Sequence, residues 1–439
     1  MILVSPEHLP IEADTELYDA YYRQYIKTCE GITGDPHKYR PISDENIIDN
    51  FEARDCFGVL GVSNFHFTLK KYFFEYHTLS SPVRQSLELH LKDYNQSQTV
   101  FVISWLDFTT LNWEDVNFLL NIFPGKTLVD DSFESCPIRN NAMNEMLEQR
   151  GYNTKKIGFF TNCPRKDLQT KENNFYRDNW LHLTLVTDAE ARPDDKGTIN
   201  YLDNKKELIN YNNKKYQFLS LDGHSTATRL QVILKLHLED VISPSKFRYS
   251  MCDLEHTPDA ITYLVNQHVP QDNGDFYNGL IYRLFPKRLA GDVFEGRERD
   301  FFVSPDWWED CYFNLNIDTN QAYLGDHWVN ISEKWMKQIM FYTPGININE
   351  YTGLEQHHKD LGFKGYDKFW DHSYDTIENH YERINAVVDV IKNMKDPTES
   401  EWQEMMEIAE YNYNHLFNHH IPTLSKKLRH AIVCLINQV

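Results

Sequence analysis

In HWVNISEKWMKQIMFYTPG, residues 327–345, a carboxylate and an ammonium stand side by side at Glu333 and Lys334. Ser332 precedes them, and an apolar periodicity through Trp335, Ile339 and Met340 follows. Ser332 can cap a helix there, and Glu333 suits the positive end of its dipole. Lys334 runs against that trend. A cation placed where the dipole disfavours it makes sense when an anion sits beside it, while the carboxylate accepts hydrogen bonds from vicinal hydroxyls. The plainer reading is an exposed, solvated pair.

Arg229 poses the same question. It lies in the first turn of an amphipathic segment that follows the strand-like YQFLSL (216–221) and a loop containing Gly223, Ser225, Thr226 and Thr228. Orphan N–H groups at such a helix start favour an anion, and a guanidinium adds two-pronged hydrogen bonds to phosphate oxygens. A surface arginine on an amphipathic helix is the alternative.

Chemistry on a hydroxyl also needs a proton acceptor. His66, Asp107, Asp131 and His182 lie near ends of strand-like runs, and Asp107, after FVISWL, is the best placed. A strand-end aspartate commonly caps the next turn instead. No compact Asp-x-Asp arrangement occurs at a strand end, and the Asp pairs at 130–131 and 194–195 read as solvated turns. Fixed cations rather than a metal are therefore expected to meet negative charge. His357-His358 and His419-His420 are adjacent pairs that point to different sides of a helix and suit a shared metal poorly. The rings of SPDWWEDCYF read as core, and KKLRH (426–430) as a solvated basic end.

These groups need a scaffold. FGVLGVSNF (57–65), TVFVISWLDF (99–108), KTLVDDS and KKIGFFTNC (155–163) are short apolar, β-branched or aromatic runs suited to buried strands. SPVRQSLELHLKDY and NWEDVNFLLNIFPG (112–125) are helix-like between them. Alternation of this kind predicts a parallel sheet of Rossmann type. A polar stretch at 187–215 reads as a domain junction, within which INYLDNKKELINY could form a small hairpin.

Beyond it, YQFLSL is a strand and Leu230, Ile233, Leu234, His237, Leu238 and Val241 mark a helix. CYFNLNIDT (311–319) is strand-like, and Gly362 suits a helix stop after LEQHHKDL. Ile377, Tyr381, Ile384, Val388 and Ile391 align on one face of a helix over 374–394. Thr398 and Glu401 form a capping box for a last helix carrying Trp402, Met405, Met406, Ala409, Tyr413 and Leu416.

The 439 residues suffice for two or three domains. With 44 basic against 65 acidic side chains the net charge is −21, which opposes long-range attraction of polyanions. Seven scattered cysteines without a C-x-x-C pair point to a reducing cytoplasm, and neither a signal peptide nor a membrane span is expected. The sequon Asn330-Ile331-Ser332 reads as incidental.

YQFLSLDGHSTATRLQVILKL resembles a strand and following LNxxxxxxR segment of glycosyltransferases encoded by marine bacteriophages. NIDTNQAYLGDHWVNISEKWMKQIMFYTPGI and LEQHHKDLGFKGYDKFWDHSYDTIENHYERI resemble their C-terminal block. That block is similar to the sugar-nucleotide half of fucosyltransferase-like GT-B enzymes, and the likeness covers about residues 214–392. The resemblance implies that Glu333 holds the donor ribose and that Lys334 and Arg229 meet the diphosphate. Asp318 and Thr319 stand where the family has Glu-Thr, and Ser332 belongs to the same donor site. Two positions depart from the pattern: Asp222-Gly223 replaces Asn-Arg, and His372 replaces the Glu of DESYD, where Asp371, Ser373 and Tyr374 remain.

The expected architecture is α/β, with two Rossmann-like domains facing a cleft in the GT-B manner and C-terminal helices packing back on the first. Residues 1–195 would hold the acceptor, 210–396 the sugar nucleotide, and 397–439 the last helices. The expected activity moves a sugar from a nucleotide-sugar co-substrate, with no other cofactor, to a glycan, protein or small-molecule hydroxyl. Asp107 is the candidate base, and an infected bacterial cytoplasm is the implied setting. Two other classes remain open: a phage DNA glycosyltransferase acting on a modified base, and a non-catalytic or virion-associated protein that kept the fold.

Overall fold

The computed structural model describes residues 63–68, 99–104, 126–131, 145, 147–161, 174–176, 201–222, 227–243, 246–251, 279, 283, 305–317, 334–349, 352–420 and 423. The chain divides into two compact units, one of Met1–Asp188 with Ile421–Val439 and one of Ala189–His420. The division falls inside the polar stretch expected to be a junction. No helix among the described residues is long and apolar enough to cross a membrane.

In the first unit five parallel strands pair in chain order: β1 (Ser63–Thr68), β2 (Thr99–Ser104), β3 (Lys126–Asp131), β4 (Ile157–Thr161) and β5 (Asn174–Tyr176). The register sets Phe65 opposite Phe101 and Ile103 opposite Val129. Such residues fit a pleated, buried surface. Residues 57–62 of the first apolar run lie outside the described residues. The helix-like stretches at 81–94 and 112–125 lie outside the described residues.

Among the described residues the second unit opens with α1 (Tyr201–Leu208), a helix in the polar stretch that reads as a junction open to a small hairpin. Its lysines and glutamate favour a helix, and its last apolar residue, Leu208, is buried. Lys214 then staples two helix ends: its Nζ donates to the carbonyls of Leu208 at 2.7 Å and of Trp308 at 3.2 Å. Here α2 is Ala227–Leu238 and α3 is Pro305–Glu309. Burial pushes the Lys214 ammonium down to about 8.

Four parallel strands form the second sheet: β6 (Tyr216–Asp222), β7 (Phe247–Met251), β8 (Cys311–Ile317) and β9 (Gly345–Ile348), in the order β7-β6-β8-β9. The remaining helices are α4 (Lys334–Met340), α5 (Leu354–Asp360), α6 (His380–Asn393) and α7 (Glu399–His415). Phe218, Phe313, Leu315, Ile317 and Ile346 form an apolar core with Leu230 and Ile233 of α2 and Ile384, Val387 and Val388 of α6. Helix α2 is buried on nearly every side, and the chain leaves it through Asp240 at φ 54. Leu238, expected in the core, is therefore exposed. Asn379 caps α6, which starts at His380; Arg383 is buried, and Tyr381, in the first turn, faces outward beneath Lys235. The capping box at Thr398 and Glu401 forms as expected.

The alternate residues of β8 are polar yet buried. Asn314 donates to the Leu219 carbonyl at 2.9 Å and accepts from Gln338 of α4 at 2.8 Å. Gln338 and Asn316 both donate to Asn347 at 3.0 Å. Each amide finds a partner, which makes the burial tolerable. The Gln338 carboxamide lies over Gly345, where a Cβ would approach it to 2.4 Å. Gly345→Ala should therefore displace a hydrogen-bonded, buried amide and cost about 1–3 kcal/mol. Denaturant unfolding checks this, and adding Gln338→Ser should cost less than the sum of the single changes.

Candidate functional site

Strand β6 leads to β7 on one side and β8 leads to β9 on the other, so neighbouring connections diverge between β6 and β8. Open parallel sheets take ligands at this place, beyond the carboxyl ends of the strands. Arg229 sits there. It is fully buried; its Nε donates to the Ile317 carbonyl at 3.0 Å, and the guanidinium forms an ion pair with Asp222, Nε lying 3.0 Å from Oδ1. Asp222 and Ile317 are the last residues of β6 and β8. The other Asp222 oxygen accepts from Ser220 Oγ at 2.9 Å. One guanidinium thus ties two strand ends, and the Asp-for-Asn departure noted in the sequence supplies its counter-charge.

A second line of contacts joins the helix starts at this edge. Arg383 donates from Nη1 to the Ile377 carbonyl at 2.6 Å and from Nη2 towards His380 Nδ1 at 3.3 Å. A guanidinium only donates, so His380 Nδ1 accepts, and its proton sits on Nε2, facing Thr228 Oγ1 at 3.2 Å. Thr228 adjoins Arg229 in the first turn of α2. Asp375, also close to Arg383, accepts from the Leu354 and Glu355 amides at 3.1 and 2.9 Å and so caps α5. Burial outweighs these bonds and raises its carboxyl above the ordinary range.

The polar line under β8 and β9 ends close by. Asn347 donates to Glu355 Oε1 at 3.2 Å, and His372 Nδ1 lies 3.7 Å from Oε2. Burial pushes the Glu355 carboxyl up to about 7 and the His372 imidazole down to about 4. Neighbouring Asp375 adds to the first shift, and Asp367 opposes the second.

Lys334 is the first residue of α4, the helix that links β8 to β9, and it is half-buried. Asp107, Asp318, Thr319, Ser332 and Glu333 lie outside the described residues. Of the paired histidines, His358 stacks on Trp335 at 4.1 Å, and His420 meets Phe363 edge-on at 5.3 Å. No group of three or more metal-capable side chains lies among the described residues. Trp308 is buried and stacked on Phe341 at 4.5 Å. Asp371 only turns its own loop, accepting from Ser373 N and Oγ at 2.8 and 2.7 Å.

Asp222, Thr228, His380, Arg383, Glu355 and Asp375 were not singled out as site residues from the sequence. Nothing in its local pattern marks them, except that a strand-end aspartate seven residues before an arginine is a pairing that a βα turn can close. Removing the counter-charge tests the clamp. Asp222→Ala should destabilise by about 3–5 kcal/mol, because it takes away the carboxylate that lies against a buried guanidinium. Asp222→Leu with Arg229→Met should stay within about 1–2 kcal/mol of the parent. Denaturant midpoints for the two variants decide it.

Neither the comparison with protein-family models nor that with curated proteins returns a match to this chain.

Proposed function

We propose that the second unit binds a nucleotide sugar beyond the carboxyl ends of β6 and β8, and that the protein transfers the sugar to an acceptor hydroxyl. The observation that carries this reading is the Arg229 clamp at the sheet's switch point. Asp318 and Thr319 directly follow the clamped Ile317, and Lys334 opens the helix at the far end of the same connection. The resemblance of residues 214–392 to GT-B donor halves assigns the donor to these same positions.

In this reading Glu333 accepts hydrogen bonds from the donor ribose. Ser332, Asp318 and Thr319 line the same site, and Lys334 meets the diphosphate. Arg229 contributes by holding two strand ends in place, since its charge is already matched by Asp222. Cleavage of the glycosidic bond develops charge on the leaving diphosphate, and a fixed cation stabilises it without rearranging. Loss of one such donor would slow transfer on the order of a hundredfold. In the two-domain GT-B arrangement that the resemblance implies, the first unit holds the acceptor, with Asp107 as its base.

A thermal-shift panel of nucleoside diphosphates and their sugars is the direct test. A ligand at a hundred times its dissociation constant stabilises by about 2.7 kcal/mol. Glu333→Ala should erase the winning shift while leaving the ligand-free melting point nearly unchanged. No shift from any member of the panel, or equal shifts in parent and variant, overturns the donor assignment. Binding with no release of nucleoside diphosphate across a range of acceptors would leave a binding protein in place of an enzyme.

A further inference from the structure

Two buried groups beside the α5 start play no part in the proposed donor site. Glu355 and His372 expose only 10% and 8% of their side chains, with Oε2 and Nδ1 3.7 Å apart. Among the described residues, neither ring nitrogen of His372 has a hydrogen-bond partner. An imidazolium would place two unmatched N–H donors and a charge there, whereas the neutral ring places one donor and one acceptor. The surroundings of Glu355 also disfavour a second negative charge. Asp375 lies at the same helix start, and Asp367 faces Glu355 from the loop after α5. The positive charge near it, Lys359, is already bonded to Asp367 at 2.5 Å. Asp367, Asp371 and Lys359 are the charges that face His372, and Arg383 stands near Asp375. Tyr366 and Tyr374 face the pair as neutral phenols that burial pushes up.

We propose that Glu355 and His372 carry a single proton in the folded protein, on the carboxyl, and that losing it loosens the start of α5. Folding then moves a proton from imidazole to carboxyl without exchange with solvent in mildly acid solution. The shifts agree with the geometry. Glu355 titrates at about 7 when folded against an ordinary 4.5, so its contribution is full below 4.5 and is lost as pH rises through about 7. His372 titrates at about 4 when folded against an ordinary 6.5, so its contribution is full above 6.5 and is lost as pH falls towards about 4. Between 4.5 and 6.5 the two slopes oppose and cancel. Above about 7 the pair is empty, and a carboxylate stands against Asp375 where the first α5 amides already serve that residue.

The test compares unfolding equilibria of the parent, Glu355→Gln and His372→Gln at a series of pH values. Relative to the parent, the folding constant of Glu355→Gln should rise with pH between 4.5 and 7, by up to about tenfold per pH unit. That of His372→Gln should fall with rising pH between 4 and 6.5, and the double variant should track the parent from 4.5 to 6.5. Relative stabilities that ignore pH, or that slope in the same direction, overturn the proposal. Infrared difference spectra of parent minus Glu355→Gln decide it even if His372→Gln fails to fold. A protonated carboxylic C=O band should be present near pH 6 and vanish above 8, and its absence near pH 6 overturns the pair.

Discussion

A buried guanidinium shared by the ends of two parallel strands is the constraint around which the second unit is arranged. Arg229 is inside the protein, and a charge there is tolerable only with a partner and satisfied hydrogen bonds. Asp222 supplies the charge and Ile317 a carbonyl, and each is the terminal residue of its strand. The same contact therefore closes the β6 turn into α2 and holds β8 level with it. The connections that leave β6 and β8 diverge from this point, so the clamp defines the place where a ligand would enter. Thr228, one residue earlier, extends the tie through His380 to Arg383 and joins α2 to α6.

The other side of β8 solves a different problem. Asn314, Asn316, Asn347 and Gln338 are buried amides that satisfy one another, and Gly345 leaves room for the Gln338 carboxamide to cross the sheet. Such a network adds little net stability per bond, but breaking it is costly, so it favours one register of β8 against β9 over alternatives. It ends at Glu355 and His372, where the amides run out and a carboxyl meets an imidazole. The clamp ties two strand ends, whereas the titratable pair closes the amide network, with the His372 ring packed beside Trp370 and Tyr374.

Much of the second unit's scaffold is legible in the sequence. The strands at 216–222 and 311–317, the stop at Gly362 and the capping box at Thr398 and Glu401 all follow from short-range signals that side chains impose on their own backbone. The errors also have local causes. Tyr381 was assigned inward because the apolar spacing continues through Ile377, yet the Asn379 cap starts the helix at His380 and leaves Tyr381 in its exposed first turn. The segment at 201–208 carries weak periodicity, and its helix rests on composition and on the burial of Leu208.

The candidate site divides along the same line. Residue type and spacing alone placed Arg229 in the first turn of a helix after a strand, and placed Lys334 at the start of another. They could not tell whether the arginine faces solvent or strand ends, because that depends on a carboxylate from β6 and a carbonyl from β8 that is 88 residues away in the chain. Likewise the alternation of asparagine with apolar residues in CYFNLNI suggests a half-exposed strand, and only α4 and α5 packing over it turn those amides inward. Secondary structure is written in near neighbours, whose interactions are strong at short range. Charge pairing, burial and proton affinity are set by groups distant in the chain, so tertiary structure decides them.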